Sequence, residues 1–157
     1  MNHRFARPAL VAMSVAAATY VACSSPGPNV PAGNGALPLG NWGGDSGAMI
    51  VGDTAMHLHI GCTYGDVSGL VAVNADGAFD VSGSYMLRAY PVTVGPSVPA
   101  RFVGRLSGAS ITVMAIVDDT VQHATVTRGP VTVTYGKAPR LMPCPVCRRP
   151  IVTRLSR

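Results

Sequence analysis

Glutamate is missing from this chain. Every one of its seven acidic residues is an aspartate, and charged residues make up only 12% of the 157, about half the usual share for a soluble domain. Glu, Lys and Leu are the residues that sustain helices, and they are thin here beside Val, Thr, Ser and Gly, which argues against a helical body and for strands. Aromatics are few as well, with a single tryptophan. A basic face is also lacking. The formal net charge of +5 comes from the two ends: Arg4 and Arg7 near the start, and Lys137, Arg140, Arg148, Arg149, Arg154 and Arg157 near the finish. Between Leu39 and Gly136 four arginines stand against seven aspartates, a net of −3. Nucleic-acid binding needs a clustered basic surface, so no nucleic-acid partner is expected.

The amino terminus reads as an export signal. Arg4 and Arg7 precede the uncharged apolar stretch Ala9 to Thr19, which has the length of a secretory core and is too short to span a membrane. The following Tyr20-Val21-Ala22-Cys23-Ser24-Ser25 resembles a bacterial lipobox, with Tyr20 where leucine is usual. The expectation is a signal peptide over residues 1–22, with Cys23 lipidated. The alternatives are ordinary cleavage after Ala18 or Ala22, or an uncleaved membrane anchor. Buried acyl chains contribute about 0.8 kcal/mol per CH2, so a multiply acylated Cys23 would hold the protein at a membrane. Residues 23–38, rich in Pro, Gly and Ser, read as a tether.

From Leu39 onward the apolar residues recur at every second position. Met56, Leu58 and Ile60 alternate with His57 and His59. Phe79, Val81, Gly83, Tyr85 and Leu87 share one face. Phe102, Gly104 and Leu106 form another stripe, and Val131, Val133 and Tyr135 the last. Ile111, Val113, Ala115 and Val117 form a stripe too, but Met114 and Ile116 make that segment apolar on both sides and leave its orientation open. This is the half-buried strand pattern. Asn74-Ala75-Asp76-Gly77, Ser107-Gly108 and similar pairs mark tight turns, spaced roughly ten to twelve residues apart as in all-β barrels and sandwiches. Gly83, inside the longest stripe, predicts a bulge or bend. The Pro-rich stretch Tyr90 to Ala100 predicts a long binding loop. About eight strands in sequence order close most readily as an antiparallel up-and-down barrel, which removes the exposed edges. The barrel domain is expected over residues 39–144.

Two resemblances sit beside this reading. The Gly40-x-Trp42 opening resembles the start of lipocalin- and avidin-like barrels, which implies a Trp packed across one end under a late-strand arginine, here Arg128. A broader pattern covers Gly40 to Cys144. It comprises Gly40-Asn41-Trp42-Gly43-Gly44, Phe79-Asp80-Val81-Ser82-Gly83-Ser84-Tyr85, Ala100-Arg101-Phe102-Val103-Gly104-Arg105 and Arg140-Leu141-x-x-Cys144. It is similar to a group of uncharacterised small exported bacterial proteins. That resemblance implies a compact exported β domain and no particular activity. Residues 145–157 extend past the pattern as a basic tail.

With Cys23 committed to lipid, Cys62 and Cys144 bracket the sheet, and an oxidising envelope favours a disulfide between them. Cys147 is left over, and one Cys144-x-x-Cys147 pair without a second is thin support for zinc or redox chemistry. Gly44-Asp45-Ser46-Gly47 reads like a serine-protease nucleophile motif, but it stands at the first turn with no matching context and is better read as a polar turn. His57 and His59 share a strand face, so two imidazoles could reach one metal ion, with His123, or else Asp80, as third ligand. Two solvent-facing histidines are the plainer reading, and no metal or other cofactor is expected. Phe79, Tyr85, Phe102 and Tyr135 would line or fill the barrel as a ligand-binding or solid core, and a mostly filled barrel is favoured.

The expectation is thus a non-catalytic, exported, lipid-anchored β-barrel of the bacterial cell envelope, with a binding or structural role. Its partners would be the membrane, through the anchor, and an unidentified protein or small apolar ligand. The alternatives are a lipocalin-like carrier and a protein-binding module such as a protease inhibitor acting through the Tyr90 to Ala100 loop. A metal-dependent hydrolase using His57 and His59 is the remote one.

Overall fold

The period-two stripes become the wall of a barrel. The computed structural model describes residue 30, residues 35–93 and residues 95–144. Cys23, Cys147, the leader, most of the tether and the tail lie outside them. The strands are β1 (Gly40–Gly43), β2 (Gly47–Val51), β3 (Ala55–Ile60), β4 (Thr63–Ser68), β5 (Ala78–Met86), β6 (Val98–Ser107), β7 (Ser110–Asp119) and β8 (Ala124–Tyr135). Each pairs antiparallel with the next and β8 pairs with β1, closing an eight-stranded up-and-down barrel. Among the described residues there is no helix. The turns follow from local chemistry. Asn74 caps its turn by accepting from the backbone N–H groups of Asp76 and Ala78. Gly108 takes the positive φ that a two-residue hairpin between Ser107 and Ser110 requires.

One side of each strand faces inward. Leu58, Phe102, Ile111, Ala115, Val117 and Val133 are all fully buried. The ambiguous stripe is thereby resolved: Ile111, Val113, Ala115 and Val117 point in, while Met114 and Ile116 lie half-buried on the outer wall. The interior is packed to contact. Tyr85 and Phe102 meet with ring centroids 6.2 Å apart, and both rings lie over Gly65, where a β-carbon would come within 2.5 and 2.7 Å of them. The Phe79 ring lies over Gly104 in the same manner, 2.4 Å from where its β-carbon would be. Small residues on one strand thus make room for rings from others, the large-against-small interdigitation that fills a barrel.

Two expectations about particular residues change. Trp42 is buried, but it stands edge-on to Tyr135, with ring centroids 5.0 Å apart, and its indole N–H donates to the Pro38 carbonyl at 3.3 Å. Arg128 is exposed on β8 beside the Cys62 turn, away from the Trp42 ring. Gly83 stays in regular register opposite Ala100 on β6, but on the other side the β4–β5 ladder ends beside it, at Asp66↔Ser84. Its role is close approach, because a β-carbon there would sit 2.2 Å from the Asp66 carbonyl. The irregularity falls instead between β7 and β8, at Val113/Ala115 opposite Gly129-Pro130.

Closure is brief: β8 meets β1 only at Trp42↔Tyr135 and Gly43↔Thr134. Beyond that short ladder the β1–β2 turn covers β8, since a β-carbon on Gly44 would sit 2.0 Å from the Thr132 carbonyl and one on Gly47 3.0 Å from the Val131 side chain. After Gly136 the chain turns back as a strap alongside β1. Gly136 donates to Asn41, Arg140 donates to Gly44, and Ser46 donates to Arg140. The strap delivers Cys144 to the β3–β4 turn, where it is disulfide-bonded to Cys62 with Cα atoms 5.6 Å apart. At the start, residues 35–38 pack on the barrel. Leu37 is buried and donates to Val71, and Val73 donates to Gly35.

Candidate functional site

An up-and-down barrel sorts its connections by end. The β1–β2, β3–β4, β5–β6 and β7–β8 turns gather at one end, here termed the rim, and the other three at the opposite end. The entering chain bonds to the β4–β5 connection through Leu37 and Gly35, so the tether side and the rim are at opposite ends. The rim carries the long β5–β6 loop, with Tyr90 and Val92 exposed, and the β7–β8 turn, with Val121 exposed. Leu141 and Met142 of the strap, close to Cys144, are exposed too. Exposed Leu39, Ile50 and Leu70 lie elsewhere on the surface.

The long loop is braced where it leaves β5. Arg88 makes a two-pronged ion pair with Asp119, its Nη1 and Nη2 donating to Oδ1 at 3.2 Å and Oδ2 at 2.6 Å. Asp119 ends β7 and is only 1% exposed. Its Oδ1 also accepts from the backbone N–H groups of Val121 and Gln122 at 3.0 and 3.2 Å. One carboxylate therefore closes the β7–β8 turn and holds the root of the neighbouring loop. The Arg88 hydrogen bonds hold the Asp119 carboxyl below the usual carboxylate range, helped by the two backbone donors and opposed by desolvation. A carboxyl with a depressed folded-state pKa stabilises the fold above its unfolded value and loses that contribution as pH falls through the folded one. Melting temperature is thus expected to fall below about pH 4. Asp119→Asn should lower it at pH 7 and shrink the difference between pH 7 and pH 3. Melts of both proteins at the two pH values check this, and an undiminished acid loss in the variant would sink it.

On the outer wall of β3 and β4 four side chains meet. The register pairs His57 with Asp66 and His59 with Tyr64. His57 Nδ1 is 2.5 Å from Asp66 Oδ1. The two imidazole centroids are 4.8 Å apart at 71°, and the Tyr64 ring lies 5.5 Å from each. Partial burial, with the neighbouring His57 adding to it, pushes the His59 imidazole below its ordinary pKa. His123 does not join them. It is exposed in the β7–β8 turn with φ of 52°, three strands round the wall from β3 by the shorter way. Among the described residues no group of three or more His, Cys, Asp or Glu side chains is placed to hold a metal ion. The triad of His57, His59 and His123 is therefore not formed, because the barrel wall separates its members.

The other singled-out residues fall as follows. Phe79, Tyr85 and Phe102 are core, with their faces occupied by neighbouring strands. The Tyr85 hydroxyl is hydrogen-bonded to Thr63 Oγ1 at 2.8 Å, and burial raises its pKa. Tyr135 sits half-buried beside Trp42, its hydroxyl donating to Leu39 at 3.3 Å. Ser46 occupies the β1–β2 turn with φ of 66°. Asp66 and Asp119 were missed as partners. The first was readable once Gly61-Cys62 is taken as a two-residue turn, since that turn places residue 57 opposite residue 66. The second pair spans 31 residues, with the whole of β6 between Arg88 and the strand that carries Asp119, and no local pattern announces it. Comparison of the chain with protein-family models, with curated proteins and with solved structures finds no match.

Proposed function

We propose that this chain is an exported, lipid-anchored, non-catalytic protein of the bacterial cell envelope, whose barrel is a rigid scaffold presenting its rim to a protein partner. The observation that carries this reading is the filled interior. The rings that could have lined a ligand cavity are seated on Gly65 and Gly104 instead, so binding is left to the outer wall and the loops. Placement supports it further. An anchor at Cys23 would approach from the tether side, leaving Tyr90, Val92 and Val121 at the far end, facing away from the membrane. Exposed apolar side chains on a braced loop suit protein contact better than solvent. A carrier of a small apolar ligand is the competing reading, and it requires internal space.

Native mass spectrometry of the gently released protein separates the two. The scaffold reading expects the mass of the processed, acylated chain alone. A co-purifying small molecule bound in one copy would favour the carrier and overturn the scaffold. In the producing cells, palmitate labelling is expected for the natural chain and its complete loss in Cys23→Ser. Retained labelling would remove the anchor from the proposal.

A further inference from the structure

We propose that His57 and His59 form a two-imidazole site for a divalent transition-metal ion of borderline softness, of which zinc is the representative, with Asp66 as the carboxylate that orients His57. This goes beyond the scaffold reading and does not depend on it.

Strand geometry supplies the first part. Residues two apart on a strand point the same way, so β3 sends both imidazoles off the outer wall, where their centroids lie 4.8 Å apart. Imidazole nitrogen suits ions such as zinc, copper and nickel. The second part is the Asp66 contact. An ionised carboxylate can only accept, so the proton between it and His57 sits on Nδ1, 2.5 Å from Oδ1. In the neutral ring, the form that binds a metal, this leaves Nε2 with its lone pair. A metal-bound histidine characteristically gives its other N–H to a carboxylate, which fixes the ring and strengthens it as a ligand. The third part is enclosure. Tyr64 on β4 flanks both rings at 5.5 Å and limits their swing. Two protein ligands leave the remaining coordination positions to water or to a donor from another molecule. Asp66 acts through His57 and is a positioning residue.

The test uses the full chain in a Cys147→Ser background, purified without a histidine tag, and titrates Zn2+ while following the imidazole resonances by NMR. The expected result is that the His57 and His59 signals move together and saturate with one dissociation constant. His59→Ala should weaken that binding at least tenfold. Asp66→Asn should weaken it about 10- to 100-fold, the usual effect of losing an orienting carboxylate. His123→Ala should leave it unchanged. The side chains of His59, Asp66 and His123 stand on the outer wall or in an exposed turn, and the far-UV circular dichroism of each variant verifies that the barrel persists. Signals of His57 and His59 that stay fixed at millimolar zinc would overturn the proposal. So would an affinity that survives both His59→Ala and Asp66→Asn within twofold.

Discussion

Phe102→Ala is expected to destabilise the barrel by about 3–5 kcal/mol, toward the upper end of that range. Phe102 is fully buried on β6, between Val81 and Ala115. Its ring fills the space above Gly65 and beside Gly83. The cost of such a truncation depends on how far the surroundings can relax into the void. Here two of the surroundings are glycines, with no side chain to swing into it, and they are held in the β3–β4 and β5–β6 ladders opposite Leu58 and Ala100. A domain of this size has a total stability of roughly 5–15 kcal/mol, so the variant should lose a third of it or more. Urea denaturation of both proteins measures the difference. A loss below about 1 kcal/mol would mean that the interior is not packed, and the carrier reading would return with it.

Removing the cross-link is the second large effect. Cys62 and Cys144 are 82 residues apart in sequence, and closing so long a loop restricts the unfolded chain by about 4.5 kcal/mol in the entropic account. Cys62→Ser/Cys144→Ser is expected to cost about 3–4 kcal/mol, since residual order in the unfolded chain takes back part of that gain. For a domain of about 100 residues this corresponds to a fall in melting temperature of roughly 15 °C. The double variant prevents Cys147 from substituting for Cys144. Loss of the bond should also act locally. Without it the strap is held by the bonds of Gly136 to Asn41, Arg140 to Gly44 and Ser46 to Arg140, while Lys137 to Pro143 are exposed. Faster hydrogen exchange at the Arg140 and Ser46 amides, beyond that at the buried Phe102 and Val133 amides, is the expected signature. Uniform acceleration throughout would show that the bond acts only on the unfolded chain.

The legible part of the fold was the part written in local alternation. The stripes at Met56 to Ile60, Phe79 to Leu87 and Val131 to Tyr135 were readable because a strand with one face inward repeats every two residues. β2 and β4 were harder. Ala48-Met49-Ile50-Val51 is apolar without a break, so no alternation shows. Tyr64-Gly65-Asp66-Val67 carries a glycine where the inner face receives the Tyr85 and Phe102 rings. The double-sided Ile111 to Val117 segment could not choose its inner face alone. The partners on β6 and β8 chose it, by placing Phe102 opposite Ala115 and Val133 opposite Ile111.

The candidate sites divide in the same way. The shared face of His57 and His59 follows from their spacing, but whether a third ligand meets them depends on where β7 and β8 lie around the wall, and the wall keeps His123 away. The amino-acid order by itself determined the strand content, the turns at Asn74 to Gly77 and Ser107-Gly108, the single cross-linkable pair within the body and the mildly acidic surface, because each rests on side-chain type and near-neighbour spacing; Arg128-Gly129-Pro130, which reads as a turn, lies inside β8. Only the tertiary structure decided that the rings fill the barrel, that Tyr135 and not Arg128 meets Trp42, and that Asp119 braces the rim loop. Those depend on register and closure, and contacts between strands far apart in the chain leave no periodic trace along it.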